Sequence, residues 1–240
     1  MRLSIFGLGY VGAVASGCLA SQGHEVIAFD REPGRLDRLR CGLAPVDEPG
    51  LDRLIKEAVE SGRLTATPDV GEAIAGSILT SICIEGSGAH GGLTDLAAIE
   101  ALCGEIGAAL RDKRKFHAIA LRGTLKSGLA RGLIMPALER ASGQRAGSGF
   151  GIGVYPAFLR RGTAIEDYIR PPAIILGATD EETLARLREM DIALQAPEMV
   201  VGLEEAEAMM DGDPHRHAVP LQRSMARPSL SLAADSLYGS

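Results

Sequence analysis

Residues 1–30 read MRLSIFGLGYVGAVASGCLASQGHEVIAFD, and the order of events in this stretch decides the fold. Leu3–Phe6 is an apolar run of strand length. It stops at Gly7-Leu8-Gly9-Tyr10-Val11-Gly12, and Val11–Ser21 follows as a predicted helix. Glu25–Phe29 predicts a second strand, ended by Asp30. Strand, glycine turn, helix, strand and acid is the order that seats a dinucleotide. Gly7 permits the tight turn from strand to helix. Gly9 lets the backbone approach a pyrophosphate with no Cβ in the way, and Gly12 lets the helix lie close to the sheet. The helix N-terminus offers N–H groups and partial positive charge to the diphosphate. The Asp30 carboxylate suits an adenosine ribose and repels a 2′-phosphate, which favours NAD over NADP; Arg31 beside it tempers that preference.

The rest of the chain continues the alternation. Predicted strands at 64–66, 78–84, 116–121, 151–154, 174–177 and 199–201 are separated by predicted helices at 34–39, 51–61, 70–74, 96–110, 128–142 and 180–193. This pattern predicts an α/β, Rossmann-type doubly wound sheet, mostly parallel, with helices on both faces. ILTSICI and HAIAL are apolar almost without interruption, as strands covered on two sides are. The character changes near residue 211. The expected organisation is an NAD-binding domain over 1–203, then a shortened linker helix and an irregular, flexible tail over 204–240.

Composition excludes several functions. The 240 residues are 46% hydrophobic and 23% charged, with a net charge of −6 and a pI near 5.4. That balance is globular and disfavours nucleic acid or anionic membranes as partners. Aromatic residues make up 4%, with no Trp, too few for base-stacking platforms. No run of 18 apolar residues occurs, and the N-terminus has no charged segment before a cleavage site, so neither a membrane span nor a signal peptide is expected. Cys18, Cys41, Cys83 and Cys103 form no CxxC pair or metal pattern. Three lie in apolar runs, which suits buried, reduced thiols and a cytoplasmic location. In DGDPHRH, at 211–217, His215 and His217 are two residues apart on a polar tail, so no metal site is expected. Lys113-Arg114-Lys115 is expected to be a solvated loop, and Lys126 a surface lysine.

Further motifs follow the glycine turn in order: PVDEPGLDRLI, SGRLTATPD, ILTSICI, GLTDLAAIE, IALRGTLKSG and YPAFLRRGTAIEDYIRPPAIILG. With the first thirty residues they resemble the UDP-glucose/GDP-mannose dehydrogenase family of nucleotide-sugar 6-dehydrogenases. The likeness spans about residues 1–210. The FGLG start, EIGAAL and FLRRGTAIEDY lean toward the GDP-mannose branch. The resemblance implies oxidation of a hexose C6 alcohol to a carboxylate with two NAD. It also implies a cysteine in a C-terminal domain as the covalent nucleophile.

The resemblance carries over residue by residue. Tyr10, Val11, Asp30 and Thr124 stand where family members contact NAD, and Arg35 stands where a lysine is usual. Gly86, in Glu85-Gly86-Ser87, replaces the threonine of a Gly-Thr-Pro turn. On the substrate side, Asn-Pro-Glu-Phe-Leu-x-Glu reads Tyr155-Pro156-Ala157-Phe158-Leu159-Arg160-Arg161, so both carboxylates are missing. The linker-helix lysine falls at Met210 and the asparagine after it at Pro214. His217 aligns with a substrate-contacting histidine. None of the four cysteines stands where the nucleophile belongs, and the chain ends before the domain that carries it.

Thr124 is the one catalytic candidate retained. The cofactor expected is NAD, held by Gly7, Gly9, Tyr10, Val11, Gly12, Asp30, Arg35, Gly86 and Thr124. A nucleotide sugar, a second copy of the chain or a complementing chain are the other partners considered. Three readings stay open: a nucleotide-sugar dehydrogenase, a noncatalytic NAD(H)-binding module, and an interaction protein using the fold alone.

Overall fold

The computed structural model describes residues 1–84, 95–123 and 126–210. Among these residues the chain forms an eight-stranded sheet flanked by helices on both faces. The strands are β1 (Arg2–Phe6), β2 (Glu25–Phe29), β3 (Leu64–Thr67), β4 (Leu79–Ile84), β5 (His117–Gly123), β6 (Phe150–Val154), β7 (Ile174–Ala178) and β8 (Glu198–Val201). The helices are α1 (Tyr10–Ser21), α2 (Pro33–Arg40), α3 (Leu51–Glu60), α4 (Val70–Ala75), α5 (Leu96–Arg111), α6 (Met135–Ser142), α7 (Ala164–Ile169), α8 (Glu181–Met190) and α9 (Leu203–Met210).

The sheet order is β3-β2-β1-β4-β5-β6-β7-β8, and every pair is parallel except β6 with β7. The winding reverses between β1 and β4, and such a switch point opens a crevice at the carboxyl ends of the strands. The register places that edge: Phe6 lies beside Phe29 and Ile82, Phe29 beside Thr67, and Ile84 beside Gly123. Gly7 and Asp30 therefore leave adjacent strands at the same level.

Two apolar layers sandwich the sheet. One joins α1, α2, α3, α7 and α8 through residues such as Leu19, Leu39, Ile55, Tyr168 and Leu187. The other joins α4, α5, α6 and α9 through Ile74, Ile106, Leu138 and Met210. α1 is buried along nearly its whole length, so its small residues reflect close packing between the sheet and α3. Gly107 on α5 shows the same constraint: a Cβ there would lie 2.7 Å from the Ala141 Cβ on α6.

The doubly wound, mostly parallel sheet expected from the sequence is the observed one. The helix expected over 128–142 differs in its first part, where Ala130–Ile134 forms a π-helical turn before α6. Pro136 lacks the N–H that would close an α-helical bond to residue 132, and the wider turn ends just before it. The short helix α7 was not anticipated. Lys113 is not solvated: its Nζ donates to the Ile74 and Ser77 carbonyls, and burial lowers its pKa to about 8. Cys18 and Cys103 are buried as expected, Cys83 is half-buried and Cys41 is exposed.

At the amino ends of the strands a buried polar chain crosses the sheet. Ser4 Oγ meets Ser77 Oγ at 3.0 Å and Thr80 Oγ1 at 2.7 Å, and Thr80 meets His117 Nε2 at 2.7 Å. Burial, reinforced by the Lys113 cation, lowers the His117 imidazole to about 3. An unfolded histidine protonates near pH 6.5, so from there down to about 3 the unfolded chain takes up a proton that the folded chain refuses. The His117 contribution is thus complete above pH 6.5 and is lost as the pH falls toward 3. Urea titrations of wild type and His117→Gln at pH 7 and pH 4.5 check this: the wild-type stability falls more steeply, by about 1.4 kcal/mol for each unit below pH 6.

Candidate cofactor-binding site

The candidate site lies at the switch point, where β1 turns into α1. Gly7 has φ +94°, and a Cβ there would stand 2.8 Å from the Cys83 carbonyl oxygen of β4. Its N–H donates to the Phe29 carbonyl at 2.9 Å, so the turn starts in register with β2. Gly9 is the extended N-cap of α1, and no side chain caps the helix there. A Cβ on Gly12 would lie 1.8 Å from the Gly7 carbonyl oxygen. The first helical turn therefore stacks directly on the glycine turn, leaving backbone rather than side chain around the helix N-terminus. That arrangement fits a diphosphate, which needs N–H donors and close backbone approach.

Asp30 is only 7% exposed. Its Oδ2 accepts the Leu8 N–H at 2.5 Å and Arg35 Nη1 at 3.3 Å, and its Oδ1 accepts the Glu32 N–H at 2.8 Å. The carboxylate thus ties the glycine turn to the loop after β2, a role the spacing alone did not reveal. Beyond it opens a cavity of about 380 Å³ lined by Phe29, Asp30, Arg31, Pro33, Leu36, Arg40, Pro68 and Glu105. The volume falls within the ~300–1,000 Å³ usual for small-ligand sites. The cavity lies beside Asp30 at the carboxyl end of β2.

A second set of contacts holds the other flank. Glu48, in the PVDEPGL stretch, is 6% exposed. It accepts the Tyr10 hydroxyl at 2.5 Å and the N–H groups of Gly162 and Ala164 at 2.8 Å each. Burial opposes its charge, but these hydrogen bonds prevail and keep its pKa below the ordinary carboxylate value. The Arg161 guanidinium lies 4.7 Å from the centre of the Tyr10 ring. Glu48 therefore straps the segment from Arg160 to Ala164 onto the start of α1. The motif around Glu48 was visible in the sequence; its partner 116 residues away was not.

Deeper at the same edge, Arg122 is buried between aromatic rings, 4.2 Å from the Tyr155 centroid and 5.0 Å from that of Tyr168. It donates to the Tyr168 hydroxyl at 3.1 Å. Burial raises the nearby Asp191 carboxyl to about 6, against the pull of the Arg122 guanidinium. Glu207 on α9 accepts the N–H groups of Gly128 and Ala130 at 2.7 Å each, fastening the last described helix to the segment beyond β5.

Gly7, Gly9, Tyr10, Val11 and Gly12 form one turn, with Asp30 and Arg35 beside it. Gly86, Thr124 and His217 lie outside the described residues, as do His215 and Glu85. Among the described residues, no cluster of His, Cys, Asp and Glu is arranged to hold a metal. No helix among them is long and apolar enough to cross a membrane.

Residues 1–192 match the profile described as the UDP-glucose/GDP-mannose dehydrogenase family, NAD binding domain. The chain belongs to this family. NAD is the cofactor of the dehydrogenase domain it contains. GDP-mannose 6-dehydrogenase of Azotobacter vinelandii is 42% identical over 207 residues, or 86% of this chain and 48% of that protein. UDP-glucose 6-dehydrogenase of Haloferax volcanii is 34% identical over 212 residues, covering 86% of this chain and 49% of its own length. The crystal structure of a ternary complex of GDP-mannose dehydrogenase from Pseudomonas aeruginosa superposes with a TM-score of 0.85 at 41% identity, covering 91% of this chain and 50% of that one. The chain therefore spans about half the length of the dehydrogenases it matches.

Two substitutions probe how the dehydrogenase domain builds this site. Gly12→Val drives a side chain into the Gly7 carbonyl and weakens NAD by more than about tenfold in calorimetry. Glu48→Ala removes the carboxylate that accepts the Tyr10 hydroxyl and two backbone N–H groups, and lowers the unfolding free energy in urea by about 3 kcal/mol.

Proposed function

We propose that this chain is the NAD-binding part of a nucleotide-sugar 6-dehydrogenase of the GDP-mannose type, and that it does not by itself carry the sugar from alcohol to carboxylate. The observation that carries the reading is a contrast along one sheet edge. The glycine turn, Asp30 and the adenosine-sized cavity are complete, whereas Ala157 and Arg161 occupy the positions of the family's two carboxylates. The identity to GDP-mannose 6-dehydrogenases supports the choice of sugar nucleotide.

In this reading, the residues of the glycine turn would hold NAD, which would supply hydride acceptance from the sugar C6. The turn between Gly7 and Gly12 holds its diphosphate and Asp30 faces its ribose, with Arg35 alongside. By the family resemblance, Gly86 and Thr124 stand at cofactor positions and His217 at a substrate position. Arg161 cannot accept a proton, so it cannot serve as the base that activates water. Its guanidinium instead lies over the Tyr10 ring. Met210 is buried at the end of α9 and supplies no amine. A complementing chain or a second copy cannot replace these groups, because they belong to this chain. That favours a second reading, an NAD(H)-binding module without turnover. The buried thiols of Cys18 and Cys103 suit a reducing compartment such as the cytoplasm.

Calorimetry with NAD, followed by NADH absorbance with GDP-mannose or UDP-glucose, tests the proposal. The expected outcome is saturable NAD binding and no NADH above background with either sugar. Sustained NADH formation with release of a uronate would overturn the claim of incompleteness, and absence of NAD binding at millimolar cofactor would overturn the whole reading.

A further inference from the structure

We propose that Glu105 is a cofactor-selectivity residue, which keeps Arg31 from a 2′-phosphate and so excludes NADP. The inference rests on the reading above, that the cavity beyond Asp30 takes the adenosine ribose. It adds an element from a different part of the chain, the middle of α5.

The cavity rim is rich in arginine. Arg31 and Arg40 line it, and Arg35 stands beside Asp30. By residue type alone such a rim would welcome the additional phosphate of NADP, since guanidinium groups match phosphate oxygens in charge and geometry. The pairing decides otherwise. Arg35 is bound to Asp30 at 3.3 Å and to Glu32 at 3.0 Å. Arg40 is bound to Asp37 at 3.2 Å and donates to the Ala66 carbonyl at 3.3 Å. Arg31 is bound to Glu105 at 2.8 Å, across the cavity mouth from one element to another.

These pairs differ in how readily they give way. Arg35 and Arg40 are engaged by residues of their own helix or its cap, and Arg35 also by the Asp30 carboxylate that holds the glycine turn. Among the described residues Arg31 is paired with Glu105, and both are exposed: their side chains are 54% and 48% accessible. Both line the cavity. Glu105 therefore acts twice against a 2′-phosphate. It occupies a guanidinium of the cavity lining, and it adds a second negative charge to that of Asp30 at the cavity wall. Glu105→Gln removes both effects while preserving the shape of the side chain. Neither effect is directed at a ribose hydroxyl, which is neutral, so the variant changes NADP affinity more than NAD affinity.

The test is calorimetry of the full chain with NAD, NADP and the fragment pair 5′-ADP and 2′,5′-ADP. Four proteins are compared: wild type, Glu105→Gln, Arg31→Gln and the double variant. The exposed pair is weak, so the expected gain is moderate. Glu105→Gln binds NADP and 2′,5′-ADP about fivefold more tightly than wild type, with NAD and 5′-ADP changed by less than about twofold. The gain shrinks at high salt and is smaller in the double variant, measured against Arg31→Gln, than in Glu105→Gln measured against wild type. Equal tightening toward NAD and NADP would mean general electrostatics and overturn the assignment, as would a gain undiminished by loss of Arg31. NAD binding by all four proteins with no change in the NADP ratio overturns the selectivity role alone. Failure of every protein to bind NAD or 5′-ADP overturns the cofactor reading and this inference with it.

Discussion

The hydrogen bond from the Leu8 N–H to the Asp30 carboxylate joins the two features on which the site depends, the turn after β1 and the end of β2. A glycine turn is conformationally permissive, and that freedom opposes a fixed binding geometry. Here the freedom is removed from three sides. Gly7 donates to the Phe29 carbonyl, Leu8 donates to Asp30, and the Cys83 carbonyl closes the space where a Cβ would go. Hydrogen bonds to a charged acceptor are worth about 1.5–3 kcal/mol, enough to hold a short loop in one form. The turn is thus preorganised by strand register, and the register in turn follows from apolar strands buried between two helical layers.

The same edge shows how a family framework and its chemistry separate. Cofactor binding depends on backbone groups, glycines and one acid, all positioned by the sheet. Sugar chemistry depends on side chains that can donate and accept protons. In this chain the first set is present, and the sites of the second hold Ala157, Arg161 and a buried Met210. The Arg161 cation lies over the electron-rich face of Tyr10, while Glu48 holds both Tyr10 and the backbone that follows Arg161. The segment that carries Arg161 is therefore held against α1.

Buried polar groups mark both ends of the sheet. At the amino ends, Ser4, Thr80 and His117 are joined by hydrogen bonds, and Lys113 donates to two carbonyls at and just beyond the end of α4. At the carboxyl ends, Arg122 is enclosed by Tyr155 and Tyr168. These groups come from strands and loops far apart in sequence, and none has a local signature. Each is costly to bury alone and tolerable only in company.

The sequence by itself determined the alternation of strands and helices, the parallel sheet, the glycine turn and the acid at the end of β2. These are local signals: apolar periodicity, positions only glycine can fill, and a charge at a strand end. Through the family resemblance the sequence also raised the expectation that Ala157 and Arg161 stand at the family's two carboxylate positions. Only the tertiary structure decided that Asp30 braces the turn, that Glu48 straps Arg161's segment to α1, that the half-buried Lys113 bonds two carbonyls, and that Arg31 is taken up by Glu105. Such pairings join residues up to 116 positions apart, and a chain's spacing carries no record of which side chains its folding brings within hydrogen-bonding distance.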